Sequence, residues 1–133
     1  MTLLEQFINQ CRDKPFSWGE LDCCLLAANW IEMNTQDDMA ASFRGRYKTA
    51  LGAKRLLAKN GFESVHAVAE AYLGQSIAPL QLQRGDIALV SPPRSEAALG
   101  IVAGHGVWVM TDDGMVIIPM RLVTKGWRLP CHQ

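Results

Sequence analysis

The chain has no excess of charge: its 13 basic and 13 acidic residues cancel over 133 positions. That balance removes the usual electrostatic basis for gripping a nucleic acid or an anionic membrane surface. No apolar run reaches the roughly 20 residues that span a bilayer, and Arg12, Asp13, Lys14 and Glu20 interrupt the first third, so no membrane insertion is expected. Met1-Thr2-Leu3-Leu4-Glu5-Gln6 carries neither a basic n-region nor a long apolar h-region, and synthesis in the cytosol without a signal peptide is expected. Cysteine is scarce. Cys11, Cys23, Cys24 and Cys131 are too few for a disulfide scaffold, so reduced thiols are expected. No C-x-x-C pair or histidine couple accompanies them, and the adjacent Cys23 and Cys24 are expected to splay apart. Cys131-His132 remains available to a site at the far end of the chain, but no metal and no cofactor is assigned. Cys11 and Cys24 read as small buried hydrophobes. Internal repeats, low-complexity segments and linkers are missing too, which leaves one domain over residues 1–133.

What is present divides into two halves. Leu3, Leu4, Phe7, Ile8 and Cys11 share one helical face, predicting an amphipathic helix over 3–12 that ends before Pro15. A second helix is predicted over 21–33, with Ala27, Ala28, Trp30 and Ile31 available for burial. Asp37-Asp38 should cap a short helical turn through Phe43. Thr49 opens a helix carrying Leu51, Leu56 and Leu57 that stops at Asn60-Gly61, and Ser64 opens another that closes at Gly74. Helices therefore occupy about 1–75.

Beyond Pro79 the pattern shortens to strands over about 84–130. Asp86 to Val90 and Leu99 to Ala103 are apolar runs, and Gly104-His105-Gly106 is a hairpin turn into Val107 to Met110. Asp112-Asp113-Gly114 turns into Met115 to Ile118, and Trp127-Arg128-Leu129 closes the sheet. Helices followed by a small antiparallel sheet predict an α+β domain.

The stretch Phe16-Ser17-Trp18-Gly19-Glu20-Leu21-Asp22-Cys23-Cys24-Leu25-Leu26 carries the chemistry. An aromatic–glycine turn feeds a cysteine at the start of an apolar helix, where the helix dipole favours the thiolate. Asp22 reads as a helix cap accepting a backbone N–H, with catalytic assistance as the other role open to it. Trp18 and Trp30 are candidates for a substrate groove or for core burial. Glu20 is a poor base for a thiol, and its charge opposes thiolate formation.

With these residues in view, the stretch around Trp18-Gly19 and Asp22-Cys23 resembles the nucleophile segment of NlpC-type papain-like cell-wall peptidases. Gln83-Arg84-Gly85-Asp86-Ile87 is similar to their R-G-D-hydrophobic lead into the first core strand, and Ala98-Leu99-Gly100-Ile101-Val102 to the strand written H-V-G-I-Y in active members. Arg44-Gly45-Arg46-Tyr47, a G-A-K-R-type helix and a terminal G-W-R strand resemble a branch of small phage and prophage tail proteins. The resemblance implies a papain-like NlpC-type fold with Cys23 at the nucleophile position. It places the histidine position on Ala98 and the third, orienting position on or near Met110, with Thr111 as the polar neighbour. In active members the histidine takes the thiol proton and later protonates the leaving amine. Alanine can do neither. His105 lies seven residues further on, roughly 23 Å at about 3.3 Å per residue. His66 and His132 read as surface or tail residues.

Arg44, Arg46, Lys48, Lys54, Arg55 and Lys59 form the one charge asymmetry, with no acid between Asp38 and Glu63. Tyr47 alone supplies an aromatic platform, too little for nucleic acid. Lys54, Arg55 and Lys59 suit a solvated helix face. Arg44, Arg46 and Tyr47 are the candidate partner-binding residues, their guanidinium forks suited to a neighbour's carboxylates or carbonyls. The resemblance therefore implies a structural or adaptor component of a phage tail, at the tip or baseplate, whose partners are other tail proteins. It would be made in the host cytoplasm and carried in the virion tail. The alternative is an active cysteine peptidase or amidase that uses Cys23 to cut peptidoglycan stem peptides.

Overall fold

A computed structural model describes residues 2–91 and 97–129. The four helices are α1 (Leu3–Arg12), α2 (Leu25–Thr35), α3 (Ala50–Lys59) and α4 (Val65–Leu73). The strands are β1 (Ile87–Val90), β2 (Ala98–Ala103), β3 (Gly106–Thr111), β4 (Gly114–Ile118) and β5 (Val123–Trp127). They form one antiparallel sheet in the order β4-β3-β2-β1-β5. The α+β class follows directly from this order of elements.

Three helices begin where the sequence provides a side-chain cap. Thr2 and Glu5 form a reciprocal capping box on α1, Thr49 accepts from the Gly52 amide, and Ser64 accepts from the Ala67 amide. α2 is the exception. Its first helical residue is Leu25, four positions later than the pattern suggests, and Cys24 stands at its N-cap without capping the helix through its side chain. The cause is Asp22, whose Oδ1 accepts the amides of Cys24 and Leu25, both at 3.0 Å. Those amides are held by a carboxylate, so Cys23 and Cys24 lie in the turn ahead of the helix. The segment after α2 forms turns through Gly45 and no regular helix.

α2 is buried nearly all round, through Leu25, Leu26, Ala27, Ala28, Trp30 and Ile31, as befits a central helix. Ile87, Leu89, Leu99, Ile101 and Met110 present one sheet face to it. The alternate residues Ala88, Val90, Val102, Val107 and Val109 build a second apolar layer on the other face, covered by Leu82, Met120 and Leu122. Gly100 lets β2 and β3 close up: a Cβ there would lie 2.4 Å from Val107 Cγ1 and 2.7 Å from the Trp108 carbonyl oxygen.

Asp86 fixes β1 to the end of the described chain. Fully buried, it accepts from the Gln83 amide at 2.8 Å and the Leu129 amide at 3.0 Å, with Arg128 Nε 3.3 Å away. Trp30 Nε1 donates to the neighbouring Gly85 carbonyl at 2.8 Å, tying α2 to the same corner.

α3 runs where Thr49 and Asn60-Gly61 place it, yet none of its residues is buried, and Leu51 is 56% exposed. Leu56 and Leu57 alone pack against the core. Among the described residues no helix is long and apolar enough to cross a membrane.

Candidate functional site

The site begins with a turn. Ser17 and Leu21 exchange backbone hydrogen bonds at 2.9 Å, and Gly19 between them adopts a φ of 83°, a conformation that favours glycine. A Cβ on Gly19 would lie 2.6 Å from the Tyr47 carbonyl oxygen, so glycine also permits a close approach. That approach brings two distant motifs together. The Gly45 amide donates to the Gly19 carbonyl at 2.9 Å, and the Tyr47 hydroxyl donates to Asp22 Oδ2 in a short bond.

Asp22 is the hub of this junction. It is 1% exposed and accepts from four groups: the amides of Gly19, Cys24 and Leu25 and the Tyr47 hydroxyl. A buried carboxylate is tolerated when donors surround it in this way, and its lone pairs are committed to holding the loop and the helix end. Burial and the adjacent carboxylate push the Tyr47 hydroxyl far above the usual phenol range, so it remains a donor. Phe16 and Tyr47 both meet Trp18 edge-on, at ring separations of 4.9 and 6.4 Å. Trp18 is half-buried in this aromatic wall, whereas Trp30 is wholly buried in the core.

Cys23 and Cys24 follow the hub. Their sulfurs do not splay; they lie 3.8 Å apart, and both side chains are half-buried. A side-chain contact with Cys23, then burial and the nearby charge of Asp22, hold the Cys24 thiol well above its ordinary pKa. Cys24 also borders a cavity of about 60 Å³ lined by apolar side chains that include Ala28, Phe43, Leu57 and Val68. It is therefore not the simple buried hydrophobe expected. One ligand atom from each of Asp22, Cys23 and Cys24 falls within 4.8 Å of the others. A cation there would have to compete with the four donors already on Asp22.

β2 runs directly beside the thiols. The Leu99 amide donates to the Cys23 carbonyl at 3.1 Å, and Ala98, itself buried, is the residue before Leu99 on that strand. Met110 is fully buried on β3, and Thr111 donates to the Gly114 carbonyl in the β3–β4 turn at 2.8 Å. His105 is exposed in the β2–β3 turn and faces a groove shared with Glu5 and Arg12 of α1. His66 lines a groove with Lys54, Phe62 and Ala97. His132 and Cys131 lie outside the described residues. Glu20 accepts from the Ser17 hydroxyl at 3.2 Å.

The three candidate partner-binding residues have different surroundings. Arg44 is turned inward: its Nε lies 2.8 Å from Asp38 Oδ2, and its Nη2 lies 3.9 Å from Glu32. Tyr47 is taken up by Asp22. Arg46 is exposed. The hub role of Tyr47 went unread because it depends on a contact across 25 residues; the two glycines, Gly19 and Gly45, were its only local signal.

A family model for a domain of unknown function, DUF6950, matches residues 1–129. The chain belongs to the DUF6950 family. No curated protein and no solved structure matches it. The family match embraces the Asp22 hub, both thiols, Ala98 and the whole sheet. DUF6950 membership carries no assigned chemistry, so function rests on the geometry of these groups.

Proposed function

We propose that the chain is a structural or adaptor component of a phage tail, built on an NlpC-type papain-like fold whose catalytic base has been replaced. The observation that carries this reading is Ala98. A thiol ahead of a buried central helix, packed on an antiparallel sheet, is the frame in which a papain-like nucleophile works, and the adjacent strand normally supplies the imidazole. Here the Leu99–Cys23 backbone bond sets that strand in place, and the position it offers holds a methyl group. A methyl group neither accepts the thiol proton nor returns it to a leaving amine.

The remaining polar groups support an architectural role. Asp22, Tyr47, Gly19 and Gly45 are engaged in clamping the Arg44–Tyr47 loop to the front of α2. Arg46 projects from that loop with Lys48 beside it, both exposed, giving a basic edge suited to an acidic patch on a neighbouring tail protein.

The test is complementation of the encoding phage or prophage after deletion of the gene. Cys23→Ala should restore normal tails and full titre, and Arg46→Glu should leave the purified domain folded but absent from particles. Full loss of titre with Cys23→Ala, together with normal incorporation of Arg46→Glu, would contradict the reading.

A further inference from the structure

We propose that Cys23 and Cys24 form a vicinal dithiol that is reversibly oxidised by peroxide to an eight-membered-ring disulfide. The inference stands apart from the assembly reading, because it needs only the two sulfurs and their supports.

The geometry favours ring closure over other fates of the thiols. The sulfurs are already 3.8 Å apart, and forming the bond requires them to close by about 1.8 Å. The small apolar cavity beside Cys24 gives its side chain room to turn. Both residues are half-buried, so a small oxidant reaches them while a bulky one is impeded. Asp22 holds the Cys24 amide, which fixes the doublet ahead of the helix, where α-helical geometry does not set its backbone.

The chemistry balances with hydrogen peroxide as oxidant. The Cys23 sulfur attacks one peroxide oxygen, the O–O bond breaks, one water leaves, and Cys23 becomes a sulfenic acid. The Cys24 sulfur then displaces the hydroxyl as a second water and forms the S–S bond. Two thiol protons leave in the two waters, the sulfurs lose two electrons, and peroxide gains them. Cys24 is assigned the second step because the contact with Cys23 and burial hold its proton firmly, and the adjacent cavity gives its side chain room to turn onto the Cys23 sulfur.

The product is a labile disulfide. Adjacent residues joined by a trans peptide have Cα atoms about 3.8 Å apart, below the usual range of about 4.4–6.8 Å for disulfides. Strain of this kind raises the reduction potential, so cellular dithiols reverse the bond readily. Ring formation also twists the Cys23–Cys24 peptide, whose flanking groups bond Leu99 and Asp22. Oxidation therefore loosens the seam between β2 and the front of α2.

The experiment uses the full chain carrying Cys131→Ser, treated with one equivalent of hydrogen peroxide, alkylated in denaturant and digested for mass spectrometry. The expected peptide holds Cys23 and Cys24 unalkylated and is two hydrogens lighter, while Cys11 remains alkylated. Dithiothreitol should restore both alkylation sites. Hydrogen exchange should be at least tenfold faster at the Leu99 amide in the oxidised form. Cys24→Ser should instead give a Cys23 sulfenic acid that dimedone traps. Full alkylation of both cysteines after peroxide, a sulfinic acid on Cys23 with Cys24 still alkylated, or a disulfide between two chains would each overturn the proposal. Equal exchange rates at Leu99 would overturn the mechanical coupling.

Discussion

Asp22 answers three backbone amides and one phenol with a single buried carboxylate, and that ratio sets what its loss should cost. An asparagine in its place keeps one acceptor oxygen and turns an amide group toward groups that are themselves donors. At least one buried N–H is then left unmet, and Asp22→Asn should destabilise the fold by about 2–4 kcal/mol in urea denaturation. Tyr47→Phe removes one charge-assisted bond and should cost about 1.5–3 kcal/mol. Equal stability of Tyr47→Phe and the parent would show that the loop is held elsewhere. Asp38 offers a pH test on the same loop. Its bond to Arg44 holds its carboxyl below the ordinary aspartate range. A depressed folded pKa contributes stability above the unfolded value that is lost as pH falls through the folded one. Arg44→Gln should therefore raise the Asp38 pKa, seen by NMR titration, and flatten the stability profile below about pH 4.

Elements differ in how firmly they are held. β2 tolerates no side chain at Gly100, since the obstacles include the Trp108 backbone oxygen. Gly100→Ala should cost about 3 kcal/mol, read from the denaturation midpoint, because backbone cannot move aside as a flexible side chain would. α3 has no buried residue and should exchange its amide hydrogens well before α2, whose six buried residues anchor it in the core. Comparable protection in the two helices would contradict this ranking. These elements also mark what a single sequence can reveal. Caps at Thr49 and Ser64 and the glycine-rich turn after β2 are local signals, and the helices and strands they bound lie where those signals place them. The start of α2 was read too early because Leu21 to Leu25 looks helical by pattern. The competing bonds come from the side chain of Asp22, a choice that periodicity does not record. The thiol pair was missed because the sulfur separation depends on the backbone turn between the two residues, and Cys24 has a φ of −121°, outside the helical range.

At the scale of the whole molecule, the sheet supplies the strand position beside Cys23, the central helix supplies the thiol's setting, and the loop carrying Arg46 is clasped to both through Asp22 and Gly19. The half-buried thiols are thus coupled to an exposed basic edge, and under the proposed reading Ala98 stands where an imidazole would be needed. If the chain is the adaptor proposed above, it should keep its shape when the thiol is removed. Thermal unfolding of Cys23→Ala should lie close to the parent, within about 1 kcal/mol, because a half-buried sulfur is a small part of the core.

The most direct measurement is muropeptide release from purified peptidoglycan sacculi by the reduced, full-length protein, with Cys23→Ala in parallel. The account predicts no release above the buffer control from either protein. Soluble stem-peptide fragments from the parent that vanish with Cys23→Ala would contradict it.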